Sequence, residues 1–198
     1  GSMQTDPGNP KKNLALFMRA SPIGAYGHIL AEQNTFNISY KGERIFFKTG
    51  YKLGMYDPHR TGWSQLTKTA NGVLINGNGQ VISTEGFASF KRLLQGSKLA
   101  YVKSDASSAY KSTETKENAG VRKFIRHYLL LPPHTILIFD ELESERPATW
   151  QWLLHSEKDI KINAFNNQLL SADSFLIDFI TSSPMSFSKK DSFDVPLI

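Results

Sequence analysis

Short apolar segments separated by turn signals recur along most of this chain, and this pattern restricts its fold more than any other feature. Residues 35–40 alternate between apolar and polar side chains, and Lys41-Gly42 predicts a tight turn into a second strand at residues 44–48. Residues 76–79 read Asn-Gly-Asn-Gly, a strong turn signal because both residue types tolerate a positive φ. No segment of useful length shows the 3.6-residue apolar period of an amphipathic helix. We therefore predict an all-β protein, an antiparallel β-sandwich or a barrel.

A long hairpin is predicted in the second half of the chain. Residues 121–131 and 135–140 have the composition of two strands, and a Leu-Pro-Pro-His turn connects them. Residues 112–120 are polar and charged, which predicts an exposed loop. Residues 87–94 are compatible with either a strand or a helical turn, and both interpretations stay open.

The length of 198 residues is typical of one domain, and a hydrophobic content of 40% is enough for a packed core. The first three residues resemble a cloning scar, so we interpret residues 1–10 as that scar and a linker. Residues 11–182 are assigned to the sandwich. Residues 183–198 have no regular pattern and are interpreted as a C-terminal tail or the stub of a further small sheet.

The charge and composition narrow the class of partner. A net charge of +5 and a pI of about 9.3 favour polyanions such as nucleic acids, anionic lipids or acidic polysaccharides. Basic and aromatic residues are not interleaved on strands, which argues against nucleic acid. The sequence contains no run of about eighteen apolar residues, the length that a membrane span requires. There is no cysteine, and the five histidines lack the spacing of a zinc site.

Polar residues and glycines are densest between residues 21 and 71, where a β scaffold would present them on loops. His28 is a candidate general acid or base, since imidazole titrates near neutral pH, or else a hydrogen-bonded structural histidine. Gln33 and Asn34 are candidates for binding a substrate carboxylate or hydroxyl, or else they are satisfied buried amides. Arg60 can pair with a carboxylate or form a surface salt bridge. Trp63 can stack on a sugar ring or belong to the core.

Three segments of this sequence resemble the heparinase II/III-like polysaccharide lyases. Residues 19–36, RASPIGAYGHILAEQNTF, are similar to the family pattern RSSPYGSxSHxHADQNxF. Residues 57–63, DPHRTGW, and 67–80, TKTANGVLINGNGQ, resemble a PHHxGW and a TxAHNTILVDGxGQ pattern. SDASSAY at residues 104–110 resembles GDAxxxY, and the strands that follow are similar as well. The resemblance covers roughly residues 14 to 184 in one order.

This resemblance implies a fold and a reaction. The fold would be the family's central antiparallel β-sandwich, of the supersandwich type, without the N-terminal α/α-toroid domain that accompanies it. The substrates would be uronic-acid polysaccharides such as glycosaminoglycans or alginate, cleaved by β-elimination. His28 matches the family's catalytic histidine, and Gln33 and Asn34 match the Gln-Asn that follows it. The resemblance also implies a substrate cleft that is shaped by four further residues: Tyr51, His59, Arg60 and Trp63.

The departures from the family pattern concern the metal. The resemblance implies a zinc ion held by the second histidine of His-x-His, by an acidic residue in the next hairpin and by the histidine before Asn-Thr. Leu30, Lys48 and Ala70 occupy these positions here. Leucine and alanine cannot ligate and an ammonium repels a cation, so we predict neither zinc nor another cofactor. Lys48 is a candidate source of the lost positive charge.

Two functional hypotheses follow. In the first, the chain is part of a polysaccharide lyase that binds an acidic polysaccharide, and it is inactive alone because half of the cleft, including the family's catalytic tyrosine, lies in the toroid. In the second, it is a non-catalytic carbohydrate-binding or structural module with a degenerate lyase site. The resemblance implies a periplasmic or secreted location for either one.

Overall fold

Antiparallel strands are the main regular secondary structure of the computed structural model, which describes residues 1–50, 54, 56–171 and 175–192. The strands are β1 (Ser2–Gln4), β2 (Leu14–Met18), β3 (Phe36–Tyr40), β4 (Glu43–Phe46), β5 (Val73–Ile75), β6 (Ser89–Gln95), β7 (Ala100–Asp105), β8 (Lys111–Ser112), β9 (Glu117–Asn118), β10 (Val121–Leu131), β11 (Thr135–Ser144), β12 (Trp150–Trp152), β13 (Ile160–Asn163), β14 (Gln168–Ser171) and β15 (Leu176–Asp178). Short helical turns lie at Arg60–Ser64, Thr67–Thr69, Ser107–Tyr110 and Ala164–Asn166.

Two four-stranded sheets dominate the fold. The first contains β1 to β4 in chain order, and the second has the order β11-β10-β7-β6. Smaller sheets pair β12 with β5, β8 with β9, and β14 with both β13 and β15. Every pair of neighbouring strands is antiparallel. The predicted all-β antiparallel sandwich is therefore confirmed.

The main core lies between the two large sheets. Leu16 and Phe36 of the first sheet pack in one buried cluster with Val102, Tyr128 and Leu130 of the second sheet. Alternate residues of β2, β3 and β10 enter this cluster, because successive side chains of a strand point to opposite faces of its sheet. A second buried cluster joins the β5–β12 pair to β10 and to the helical turn at Ser107–Tyr110.

The turn signals in the sequence correspond to real turns. Lys41 and Gly42, between β3 and β4, have φ values of 55° and 85°, and the turn after β5 also has positive φ at Asn76 and Gly77. Two consecutive positive φ values match the twist of a two-residue hairpin. The predicted hairpin of β10 and β11 is also confirmed, with Leu131 opposite Thr135 and Arg126 opposite Asp140.

Other segments differ from the sequence interpretation. Residues 2–4, within the predicted scar and linker, pair with β2, and Met3 reaches the main core. The ambiguous segment at 87–94 contains strand β6, and the loop predicted at 112–120 contains part of the small β8–β9 pair. Residues 183–192 of the predicted tail contain no strand, but Phe187 packs on Phe179. Among the described residues, no helix has the length and apolarity to cross a membrane.

Candidate functional site

His28 lies at the tip of a turn in the long loop between β2 and β3; we call residues 19–35 the His28 segment. The turn is closed by a hydrogen bond of 2.9 Å from the Ile29 N–H to the Tyr26 carbonyl, and Gly27 has a φ of 58°. His28 is exposed, and 70% of Tyr26 beside it is exposed. The imidazole of His28 is therefore accessible to a ligand from solvent.

The side chain of Gln33 holds the first part of the segment in place. Its Oε1 accepts a hydrogen bond from the Ser21 N–H at 2.9 Å, and its Nε2 donates to the Ile23 carbonyl at 3.1 Å. The backbone of Gln33 exchanges two hydrogen bonds of 2.7 Å with the side-chain amide of Gln80. Gln33 is buried. The geometry therefore favours the satisfied buried amide among the two alternatives for this residue.

Asn34 connects the segment to the second sheet. Its Nδ2 donates to the carbonyls of Ser104 at 3.2 Å and Phe124 at 3.3 Å, and its Oδ1 accepts from the Ser104 hydroxyl at 2.5 Å. The residue is fully buried and has a φ of 54°, a left-handed conformation that asparagine tolerates better than most residues. Its amide is thus engaged inside the protein, which favours a role in positioning the segment.

Arg126 reaches the same point from strand β10. Its guanidinium makes a two-pronged ion pair with Asp140 at 2.6 and 2.7 Å, and its Nη1 donates to the Asn34 carbonyl at 2.7 Å. Burial opposes the charge, but the Asp140 carboxylate outweighs it and raises the pKa of Arg126. Trp152 donates from Nε1 to Asp140 at 3.1 Å. A buried charge with these partners fixes the base of the His28 segment rigidly.

The other side of the turn contacts residues 60–67, which include the helical turn Arg60–Ser64 and the start of the helical turn Thr67–Thr69. Arg60 Nη2 donates to the Gly27 carbonyl at 2.5 Å, directly beside His28. The Ala31 N–H donates to the Gln65 carbonyl at 3.0 Å, and the Thr67 hydroxyl donates to the Ala31 carbonyl at 2.8 Å. Arg60 is buried, so this bond positions the turn from beneath.

Gly24 marks a close approach between the His28 segment and the loop at 83–86. Its N–H donates to the Thr84 carbonyl at 2.9 Å. A Cβ atom at this position would lie 2.2 Å from the Ser83 carbonyl oxygen and 2.7 Å from the Gly86 nitrogen. Both neighbours are backbone atoms, so only glycine fits here without displacing the main chain.

The Glu32 carboxylate forms ion pairs with two cationic side chains at the edge of the His28 segment. Glu32 Oε1 lies 3.0 Å from Arg19 Nη1, and its Oε2 lies 3.0 Å from Lys48 Nζ. The three side chains are 12%, 34% and 21% exposed, respectively. Within the described part of the chain, no group of three His, Asp or Glu side chains is arranged to hold a metal ion.

The structure separates the predicted site residues into two groups. His28 is at the surface. The buried group consists of Gln33, Asn34, His59, Arg60 and Trp63. Tyr51 lies outside the described residues. Gln33, Asn34 and Arg60 hold the His28 segment through the hydrogen bonds described above, so their geometry supports a positioning role more than direct contact with a ligand.

Sequence reasoning did not identify the roles of Gln80, Ser104 and the Arg126–Asp140 pair. The sequence did contain a signal for the Arg126–Asp140 pair. Strand β10 alternates with period two, which places Arg126 on the same core-facing side as Phe124 and Tyr128. A charge on an apolar face requires a partner, and the hairpin register puts Asp140 directly opposite.

Comparisons with known proteins agree with this architecture. The family model "Heparinase II/III-like, C-terminal" matches residues 7–187. The heparan sulfate lyase HepC from Pedobacter heparinus superposes with a TM-score of 0.67 at 16% identity, over 86% of this chain and 25% of that chain. The structure named Heparinase III-BT4657 gene product superposes with a TM-score of 0.69 at 15% identity, over 85% of this chain and 25% of that one.

The present chain therefore spans about a quarter of the length of these solved structures. No curated protein matches it in sequence. At 15–16% identity the two superpositions establish the fold alone, whereas the family model covers most of the chain. On that coverage, the chain belongs to the heparinase II/III-like C-terminal family.

Proposed function

We propose that this chain is the β-sandwich part of a polysaccharide lyase in which His28 transfers protons during β-elimination. The observation that carries the proposal is the placement of His28: its imidazole is exposed at the tip of a turn whose backbone is held by buried side chains. A proton-transfer group needs access to the substrate and a fixed position, and this arrangement supplies both.

The reaction requires an acidic sugar. A base removes the proton on the carbon next to the uronate carboxylate, and the electron pair of that C–H bond forms an enolate-like intermediate. The intermediate collapses to a carbon–carbon double bond as the glycosidic C–O bond breaks, and the departing oxygen takes up a proton. The role proposed for His28 is to accept the first proton or to donate the second. Cationic groups near the site would stabilise the intermediate.

The substrate class follows from charge and relationship. The net charge of +5 favours a polyanion, and a structural relative is named a heparan sulfate lyase. We propose a uronic-acid polysaccharide as the substrate, encountered in the periplasm or outside the cell. Because the chain spans about a quarter of these relatives, we also propose that a helical domain completes the cleft and that this chain alone has little or no turnover.

A binding experiment on the chain as it exists tests the placement of His28. Heparan sulfate oligosaccharides are titrated into the protein while the ring resonances of its five histidines are followed by NMR. We expect the His28 resonance to shift in a saturable manner and that of His134, which is exposed at the β10–β11 turn, to stay unchanged. An unchanged His28 resonance at saturating oligosaccharide contradicts the proposal.

Turnover is measured by the ultraviolet absorbance of the unsaturated uronate product over a panel of acidic polysaccharides. We expect a negligible rate from the isolated chain. In a longer protein that includes a helical domain, His28→Ala should abolish turnover and retain binding. Robust turnover by the isolated chain refutes the part of the proposal that concerns inactivity.

A second candidate function is a non-catalytic carbohydrate-binding or structural module. The residues that favour it are Leu30, Lys48 and Ala70, which stand where the resemblance implies metal ligands. This alternative predicts no turnover in the longer protein either, with or without His28. The same pair of measurements therefore distinguishes the two functions.

A further inference from the structure

The positions that correspond to the family's metal ligands come together in space. The Thr67 hydroxyl donates to the Ala31 carbonyl at 2.8 Å, which places residues 67–70 beside residues 30–32. The Thr49 N–H donates to the Thr69 carbonyl at 2.7 Å, which places the chain after β4 beside the same residues. Leu30, Lys48 and Ala70 thus belong to three segments that meet at one place.

The side chains at this place do not fit a zinc ion. Leucine and alanine have no lone pair to donate, and a lysine ammonium carries a positive charge with no free lone pair. No step of the reaction above therefore involves a metal.

The Glu32 cluster, consisting of Arg19, Glu32 and Lys48, lies at this meeting point. Arg19 and Glu32 lie near the two ends of the His28 segment, and Lys48 follows β4. Both carboxylate oxygens of Glu32 are used, at 3.0 Å from each cation. One carboxylate with two cations leaves a net positive charge and joins both ends of the His28 segment to the chain after β4, as a bound metal ion would.

We propose that the Glu32 cluster replaces the zinc ion of this family, with Lys48 as the cation at the metal position. The cluster cross-links the two ends of the His28 segment to each other and to the chain after β4 without a metal, and the Lys48 ammonium excludes divalent cations. The proposal rests on membership of the family and is independent of whether His28 is catalytic.

The first test measures metal dependence and the cross-link. Purified protein should contain less than a tenth of an equivalent of zinc, and its melting temperature should be unchanged by EDTA or by added ZnCl2. Lys48→Met should lower the melting temperature by about 2 to 6 °C, because a half-buried carboxylate loses one of its two partners. The matched control is Lys158→Met, which removes a pair at 2.9 Å with Glu43 between more exposed side chains and should cost about 1 °C or less.

Two outcomes overturn the proposal at this stage. One is zinc at a stoichiometry near one per chain, or a melting temperature that rises with ZnCl2. The other is a Lys48→Met variant that melts within 1 °C of the wild type.

The second test restores the ligands. The triple variant Leu30→His, Lys48→Asp, Ala70→His should bind about one zinc per chain and melt at a higher temperature when ZnCl2 is added. A variant that is folded by circular dichroism but does not respond to zinc refutes the claim that Lys48 stands at the metal position. If the triple variant does not fold because the buried position 70 rejects a histidine, the double variant Leu30→His, Lys48→Asp decides: a melting temperature that rises with ZnCl2 supports the proposal, and one unaffected by zinc refutes it.

Discussion

The base and the tip of the His28 segment differ in what their side chains contact. At the base, Gln33 and Asn34 use their amides entirely within the protein, and Arg126 joins them to a buried ion pair. At the tip, Tyr26 and His28 are exposed and are held through their backbone neighbours. The difference shows how a small sandwich presents side chains at its surface: buried residues hold the backbone in place, and the side chains at the tip stay accessible to solvent.

The largest expected effect is at Arg126, at the base. Arg126→Met leaves the Asp140 carboxylate with only the Trp152 hydrogen bond and no cation, and it leaves the Asn34 carbonyl without its donor, so we expect a loss of about 3–5 kcal/mol in the free energy of unfolding. Urea denaturation measures this loss. Arg122→Met, at an exposed position of the same strand, should change the free energy by about 0.5 kcal/mol or less. If Arg126→Met lowers the free energy of unfolding by less than 1 kcal/mol, the base of the His28 segment does not depend on this charge.

The second largest loss of stability is expected at Asn34. Asn34→Ala removes three hydrogen bonds and forces alanine into a left-handed conformation, for which we expect a loss of about 2–4 kcal/mol. Asn34→Gly removes the same hydrogen bonds but tolerates the positive φ. It should therefore be about 1 kcal/mol less destabilised than Asn34→Ala in the same urea measurement. Equal losses would mean that backbone strain contributes nothing at this position.

A third prediction concerns the pH dependence of stability and His155. The backbone N–H of His155 donates to the side-chain oxygen of Asn71. Burial lowers the pKa of His155, and a hydrogen bond to the Lys68 backbone opposes that effect in part. The unfolded chain therefore binds more protons than the folded one below about pH 6.5, and stability should fall as the pH falls from there towards the folded pKa. Melting temperatures between pH 8 and pH 5 measure this effect.

His155→Gln should reduce that acid sensitivity. His134→Gln, which changes a histidine at the surface, is the control and should retain it. Identical pH profiles for His155→Gln and the wild type would remove His155 as the cause.

The smallest expected effect is at the tip. His28→Ala should change the free energy of unfolding by about 0.5 kcal/mol or less, because an exposed ring contributes little packing. His59→Ala, which removes a buried ring that lies near the Trp63 ring, should cost about 1–3 kcal/mol. Urea denaturation of the two variants compares them directly, and a larger loss at His28 than at His59 would contradict the assignment of His28 to the surface.

The parts of the fold that are encoded locally could be predicted from the sequence. The turn at Lys41-Gly42 and the hairpin of β10 and β11 depend on residues that are close together in the chain, so period-two patterns and turn chemistry were sufficient. The identification of residues 19–36 as the segment that carries the site depended on the family resemblance.

The supports of the site could not be predicted in the same way. Asn34 binds the carbonyls of residues 104 and 124, and Arg60 reaches back to Gly27, over separations that local patterns do not encode. The buried state of Gln33 and Arg60 also depends on these distant contacts, since both residue types are usually exposed in proteins. Strand β1 formed within a segment interpreted as a linker because an unpaired edge of β2 was available to it.

The contact at Gly24 has a consequence for protein engineering. Its backbone lies so close to residues 83–86 that the conformation of the His28 segment depends on a loop some sixty positions further along the chain. Transplanting residues 19–35 alone onto another sandwich would lose this contact. A graft that also carried the partner loop and its glycine at position 86 would have the better prospect of reproducing the turn.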